Sequence, residues 1–316
     1  MAKTYEKIAD LKVISREEWL ELRKSGIGGS DAGAVAGFNP YSSAYSVYHE
    51  KLGLVDSFEG SDKTRLGNDL EDYVARRFEE ATGKRVRRLN AMLRSIEHPY
   101  MIADIDREVV GEDAGIECKV TSNFDGYKFE DGEYPAYWAC QCHHYMAVKG
   151  SKRWYLVVLD LSSGKLHIFT IERDEGEIKA LVSLEGLFWT EHIEKQVCPA
   201  PNGSEKCDDI IAEKYPMADD DAPAVDLMGY SKDMARLEQI KAEIKPLEEE
   251  KAAIEQTLKE ALGVASTGEY EQYKVSYKNT TSTRLDTKRL KAEQPQIYAA
   301  YASETSSRRF LFTVKK

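Results

Sequence analysis

Three residues in one short stretch, Asp106, Glu117 and Lys119, have the types and spacing for phosphodiester chemistry. The stretch Ala103–Lys119 reads ADIDREVVGEDAGIECK, an aspartate followed by a turn-rich insert and the triplet Glu117-Cys118-Lys119. Side chains two apart on a strand share a face, so Glu117 and Lys119 point one way and Cys118 the other. If the strand carrying Asp106 pairs with the strand carrying Glu117, two carboxylates and one ammonium converge. Two carboxylates form a cradle for a hard divalent cation such as Mg²⁺. A lysine beside them can orient or deprotonate a water and stabilise a phosphate oxyanion.

The elements that must position this trio are legible as local patterns. Ser15 followed by Glu18 is a capping-box signature, predicting a helix to Lys24. GIGGSDAGAVAGF then predicts a glycine-rich turn into a second helix, with Ser30 or Asp31 as its N-cap. Glycines at Gly26, Gly28 and Gly29 suit either a backbone anion site or a tight helix–helix connection. Helices are predicted over Ser43–Leu52, Lys63–Thr82 with Gly83 as C-cap, Tyr137–Val148 and Asp174–Gln196. On the long helix, Glu71 lies one position from the apolar stripe, either as a boundary surface glutamate or as an inward carboxylate, which needs a partner or a metal. On the Tyr137–Val148 helix, Gln141, Tyr145 and Val148 share a face. Val86–Leu93, Tyr100–Val110, Gly115–Val120, Arg153–Asp160 and Lys165–Glu172 read as strands. This order predicts an α/β core with a mixed sheet flanked by helices.

Cys198–Asp221 is rich in Pro and acidic residues and predicts a domain boundary, with one domain over 1–205 and an extension over 206–316. In the extension, Leu237, Ile240, Ile244, Leu247, Ile254 and Leu258 recur at steps of three and four, interrupted at Lys251 and bent at Pro246. That pattern fits a long helix packed on its own domain or a self-associating coiled coil. A strand over Tyr270–Tyr277 and a helical stretch over Asp286–Tyr301, broken at Pro295, complete the extension.

The chain has 316 residues, a formal charge of −11 and five cysteines with no CxxC pair. Neither a disulfide framework nor a zinc site is suggested. No stretch is apolar for long enough to cross a bilayer, and the opening residues are polar, so a cytoplasmic protein without a signal peptide or membrane partner is expected. An acidic chain does not coat nucleic acid, but local basic clusters can still engage it. Such clusters occur at Lys84, Arg85, Arg87 and Arg88 and in a basic tail of Arg308, Arg309, Lys315 and Lys316.

The blocks ELRKSGIGGSDAGAVAG, RLGNDLEDYVARRFEEATG, MIADIDREVV, GIECK and AYWACQCHHYMAV, in that order, resemble the YqaJ-type viral recombinases. These are relatives of phage lambda exonuclease in the PD-(D/E)XK nuclease superfamily. The resemblance implies a restriction-endonuclease-like core and a set of roles. Asp106, Glu117 and Lys119 would be catalytic, Asp106 being preferred to Asp104 because it heads the family's Asp-Arg step. Asp106 and Glu117 would bind one or two Mg²⁺ ions, with Mn²⁺ as a substitute, and Glu71 would complete the shell. Gln141 would help place the scissile strand. Arg23 and Ser30 would bind a terminal 5′-phosphate, and Tyr145 would contact DNA. His144 belongs to the same QxxHYM pattern, as a packing residue of its helix.

The resemblance also implies a 5′→3′ exonuclease on linear double-stranded DNA, leaving 3′ overhangs for a single-strand annealing protein, and a homo-oligomer in the form of a trimeric ring. A restriction-like or structure-specific endonuclease and a non-catalytic DNA-end-binding protein are the alternatives.

Overall fold

The computed structural model describes residues 3–55, 61–122, 126–304 and 306–314. Lys315 and Lys316 of the basic tail lie outside them. The chain divides into two compact units, Met1–Pro216 and Met217–Lys316.

The first unit runs β1 (Tyr5–Asp10), α1 (Arg16–Lys24), α2 (Gly29–Val35), α3 (Ala44–Lys51), α4 (Asp62–Thr82), β2 (Val86–Arg87), β3 (Ala91–Ser95), β4 (Ile102–Asp104), β5 (Arg107–Val109), β6 (Ala114–Thr121), α5 (Ala136–Lys149), β7 (Arg153–Asp160), β8 (Lys165–Glu172), α6 (Glu175–Phe188) and α7 (Glu205–Lys214). A five-stranded sheet has the order β2-β5-β6-β7-β8. Its β6–β7 pair is parallel and the others are antiparallel. The parallel pair needs a crossover, and α5 supplies it. This is the expected mixed α/β core.

The run WYLVVL in β7 is apolar on both faces because both faces are covered. Trp154, Leu156 and Val158 pack with Trp138, Cys142 and Met146 of α5. Tyr155, Val157 and Leu159 pack with Val74 and Phe78 of α4. Ile116, Cys118 and Val120 of β6 join that second cluster. Glu117 and Lys119 therefore face α5, as the alternation predicts.

Three expectations need correction. The predicted strand Tyr100–Val110 is broken at Ile105 and Asp106. Its first part, β4, pairs with β3 in a three-stranded sheet, β1-β3-β4, and its second part joins the larger sheet. Asp106 sits at the bend because its carboxylate takes the Cys118 N–H at 2.7 Å, ahead of the backbone ladder. The predicted strand Val86–Leu93 splits in the same way into β2 and β3. The acidic segment after Cys198 is not all linker. It contains α7, whose Cys207 and Ile210 bury against Tyr45 and Val55, so the first compact unit extends past residue 205.

The second unit contains α8 (Ser231–Leu262), the antiparallel hairpin β9 (Thr267–Tyr270) and β10 (Tyr273–Ser276), α9 (Thr287–Glu293) and α10 (Pro295–Tyr301). α8 continues through Pro246. None of this unit's described residues is buried.

Candidate active site

The last paired residues between β5 and β6 are Arg107 and Ile116, so one step further in register Asp106 stands opposite Glu117. Glu117 is buried and Asp106 half-buried. Burial pushes Asp106 well above the ordinary carboxylate range, and the charges of Glu117 and Glu71 push it further. Burial raises Glu117 too, while Lys119 opposes the shift. Glu117 Oε1 is 2.7 Å from Lys119 Nζ. Burial alone would lower Lys119, but the pair with Glu117 outweighs it and the ammonium is favoured.

Helix α5 closes the group from above. Gln141 Oε1 accepts from Lys119 Nζ at 2.8 Å, and its Nε2 donates to Glu117 Oε1 at 2.7 Å and to Tyr145 Oη at 3.0 Å. One side chain thus reads the lysine, the glutamate and the tyrosine together. The other carboxylate oxygen, Glu117 Oε2, is buried with no hydrogen-bond partner. A buried ionisable oxygen without a partner is unfavourable by several kcal/mol in a low-dielectric setting, on the order of the desolvation cost of the charge.

Glu71 lines the same side of the molecule and its charge acts on Asp106 and Glu117, but its carboxylate is engaged elsewhere. It is ion-paired with Arg107, whose second guanidinium nitrogen takes Asp72, and Arg88 lies 3.7 Å from it. Among the described residues no three His, Cys, Asp or Glu side chains stand close enough to hold a metal. The donor set nonetheless suits a hard cation. Asp106 and Glu117 offer oxygen only, repel each other, and leave one oxygen unpartnered.

A cleft of about 1030 Å³ is lined by Asp106, Gln141, Tyr145 and Glu71, and also by Arg23 and Ser30. Arg23 Nη2 donates to Ser30 Oγ at 3.0 Å, and its guanidinium lies 5.0 Å from the centre of the Trp19 ring. The glycines here serve close approach. A Cβ at Gly29 would fall 2.5 Å from the Tyr145 ring, and one at Gly33 2.5 Å from Tyr137 Cβ, so α2 lies tightly on α5. Ser30 follows Gly29 in the chain and lines the cleft together with Tyr145.

The N-cap of α2 is Gly28, in place of Ser30 or Asp31. Asp31 lies one turn in and accepts the Gly28 N–H at 2.9 Å. Burial would raise it, but Lys51 at 2.6 Å and Arg23 hold it at about 2.

Sequence reasoning missed several partners of this site. Arg107 was visible only as the residue after Asp106. Trp19 Nε1 donates to Asp104 Oδ2 at 3.1 Å, which occupies that second aspartate. His144 is wholly buried, with Nδ1 2.9 Å from Glu185 Oε1 and Nε2 2.8 Å from the Ile102 carbonyl. Both ring nitrogens face acceptors, so the imidazolium satisfies both. Burial would lower His144, yet Glu185 raises it. This pair ties α5 to α6 and β4, in keeping with the packing role.

A family description, YqaJ-like viral recombinase domain, matches residues 18–152. The uncharacterised protein YqaJ of Bacillus subtilis (strain 168) is 34% identical over 315 residues, covering 98% of each chain. The chain belongs to the YqaJ-like viral recombinase family. Among solved structures, this YqaJ-like chain is similar to LHK-Exo, an alkaline exonuclease from Laribacter hongkongensis, crystallised with dAMP. Identity is 20%, the TM-score is 0.48, and the match covers 57% of this chain and 93% of that one. A phage-related exonuclease from Haemophilus somnus 129PT shows 14% identity and a TM-score of 0.44, over 57% of this chain and all of that one. No helix among the described residues is long and apolar enough to cross a membrane.

Proposed function

We propose that this YqaJ-like recombinase is a metal-dependent deoxyribonuclease that degrades one strand of linear double-stranded DNA from its 5′ end. The remaining 3′ overhang would pass to a single-strand annealing protein. The observation that carries this reading is the register of half-buried Asp106 against buried Glu117, with Lys119 paired to Glu117 beside the cleft.

Asp106 and Glu117 would hold Mg²⁺, or Mn²⁺ in its place, and Glu71 would join them on leaving Arg107. When bound, the cation supplies Lewis-acid stabilisation of the scissile phosphate and a water of lowered pKa. Lys119, favoured as an ammonium, acts as a donor that orients the attacking water or a phosphate oxygen. Gln141 fixes Lys119 and Glu117 in one geometry, so neither must reorganise during reaction. Arg23 and Ser30 would receive the terminal 5′-phosphate, the guanidinium being the better partner for its bidentate geometry. Tyr145, packed against Gly29, would help set the distance between that phosphate and Glu117 through Gln141. A trimeric ring, in which topology holds DNA that an acidic surface does not, fits the family resemblance and the charge of −11.

The test is digestion of linear duplexes labelled at either end, with and without 5′-phosphate, in Mg²⁺. Release from the 5′-labelled end alone, faster with the phosphate, supports the reading. Release from the 3′ end overturns the polarity, and cutting of covalently closed circles would point to an endonuclease. Sedimentation of a strict monomer with undiminished processivity would remove the ring.

A further inference from the structure

We propose that the C-terminal unit carries a second nucleic-acid site, a stacking platform for single-stranded DNA centred on the β9–β10 hairpin. The clue is a separation of charge and aromatic residues that the catalytic unit does not use. The protein carries a charge of −11, yet between Gly263 and Lys316 ten Lys and Arg stand against five Asp and Glu. The same stretch holds seven aromatic residues, Tyr270, Tyr273, Tyr277, Tyr298, Tyr301, Phe310 and Phe312.

The hairpin sets the leading pair of rings on one face. Tyr270 is directly opposite Tyr273, and Gly268 is opposite Val275. The Tyr277 N–H continues the ladder to the Ser266 carbonyl. By alternation Tyr270, Tyr273, Val275 and Tyr277 share a face, and Glu269 and Lys274 pair on the other at 2.6 Å. A two-residue turn, with Glu271 at φ 51, keeps the first two rings side by side. Tyr270 is 72% and Tyr273 63% exposed. A two-stranded hairpin is marginal in water, and although the opposed Tyr270–Tyr273 pair adds a few tenths of a kcal/mol to about 1 kcal/mol across the strands, the outer faces of both rings stay open to solvent.

Flat rings among cations fit single-stranded nucleic acid better than the alternatives. Every unpaired base offers a π-face, and stacking on an aromatic side chain is worth about 1–3 kcal/mol per base. A duplex hides those faces. The phosphates between stacked bases would meet Lys278, Arg284 and Lys288, which follow the hairpin in sequence. The proposal rests on the nuclease reading only for the source of the strand, which would be the overhang that reading generates.

The experiment uses the full-length chain with Lys119→Ala, in EDTA, so that no strand is cut. A fluorescein-labelled oligothymidylate is titrated by anisotropy at several salt concentrations. Tyr270→Ala with Tyr273→Ala should weaken binding at least tenfold with the slope against salt unchanged. Lys278→Gln with Arg284→Gln should weaken it less at high salt than at low, and flatten the slope by about 0.7 per lost contact. Circular dichroism and sedimentation of each variant check the fold and the assembly state. Wild-type affinity in the tyrosine variant overturns the proposal. A changed assembly state with unchanged DNA affinity overturns it too, and identifies the hairpin as a protein interface. Equal weakening on a blunt duplex would remove the single-strand preference. Because binding is read in EDTA, a wild-type protein that proves unable to cut DNA in Mg²⁺ sinks the nuclease reading without touching this one.

Discussion

Between Met1 and Pro216 the chain buries charged side chains, among them Asp31, Lys51, Arg107, Glu117 and Glu185. Between Met217 and Lys316 it buries none of its described residues, and exposes Ile244, Leu247, Ile254 and Leu258 along α8. The first unit therefore holds its charges before any ligand arrives, at the expense of stability. The second offers charge and apolar surface that gain stabilisation only when something covers them. Pre-organised buried charge suits bond breaking, because little reorganises in the reaction. Exposed rings and cations suit binding that must stay sequence-tolerant.

The largest effect is expected at the site itself. Asp106→Asn should lower cleavage by about 10³-fold or more, on the scale of losing about 4 kcal/mol of transition-state stabilisation. In the absence of metal it should also raise the stability of the first unit, by roughly 1–2 kcal/mol, since it removes a half-buried carboxylate repelled by Glu117 and Glu71. Thermal unfolding in EDTA measures this; a variant less stable than wild type would show that the carboxylates are not mutually strained.

Next in size is the buried pair remote from the cleft. Glu185→Gln leaves the His144 ring without its counter-charge and should destabilise the first unit by about 3 kcal/mol. His144 titrates above its ordinary value in the folded chain. Its contribution is therefore fully present below the unfolded pKa of about 6.5 and is lost as pH rises through the raised folded value. Unfolding midpoints of wild type should fall on the alkaline side of that range, and Glu185→Gln should flatten the profile. A flat wild-type profile there would contradict the assignment.

Arg23→Ala should remove the preference for 5′-phosphorylated ends, by about tenfold, while leaving cleavage of unphosphorylated ends nearly unchanged. Equal decline on both kinds of end means that Arg23 supports the fold of α1 and α2, through Ser30 and Asp31. Smallest of all, a chain ending at Pro216 should unfold within about 0.5 kcal/mol of the first unit in the full-length protein, since that unit contains its own core. A large loss would show that the C-terminal unit stabilises it.

The features that sequence reading captured are those set by local rules. β7 and β8 occupy the predicted bounds because their apolar runs are closed by a turn at Ser162–Gly164. The Ser15–Glu18 capping box forms as predicted, and Gly83 caps α4 at φ 70. Gln141 and Tyr145 were placed on one helix face by spacing, and they meet through a hydrogen bond.

The features it did not capture depend on partners distant in sequence. Asp106 bends the chain because Cys118 offers its N–H, and nothing within the segment signals that. Asp31 becomes a buried cap because Lys51 reaches it from α3. The predicted strand Tyr270–Tyr277 is cut by a turn at Glu271 and Gln272: Tyr273–Ser276 forms β10, and Tyr270 belongs to its partner β9, whose glycine and glutamate have low strand preference and which is specified by the pairing. α7 was concealed by the Pro-rich, acidic composition on either side of it. For the site, an aspartate followed by arginine at residues 106–107 could have suggested the guanidinium that now engages Glu71.

The most direct test is a single time course in Mg²⁺ comparing the wild-type protein with Asp106→Asn on a 5′-phosphorylated linear duplex and a covalently closed circle. Wild type should shorten the linear strand from its 5′ end and leave the circle intact. The folded Asp106→Asn protein should cut neither. An Asp106→Asn protein that degrades the linear duplex at the wild-type rate would contradict the assignment of Asp106.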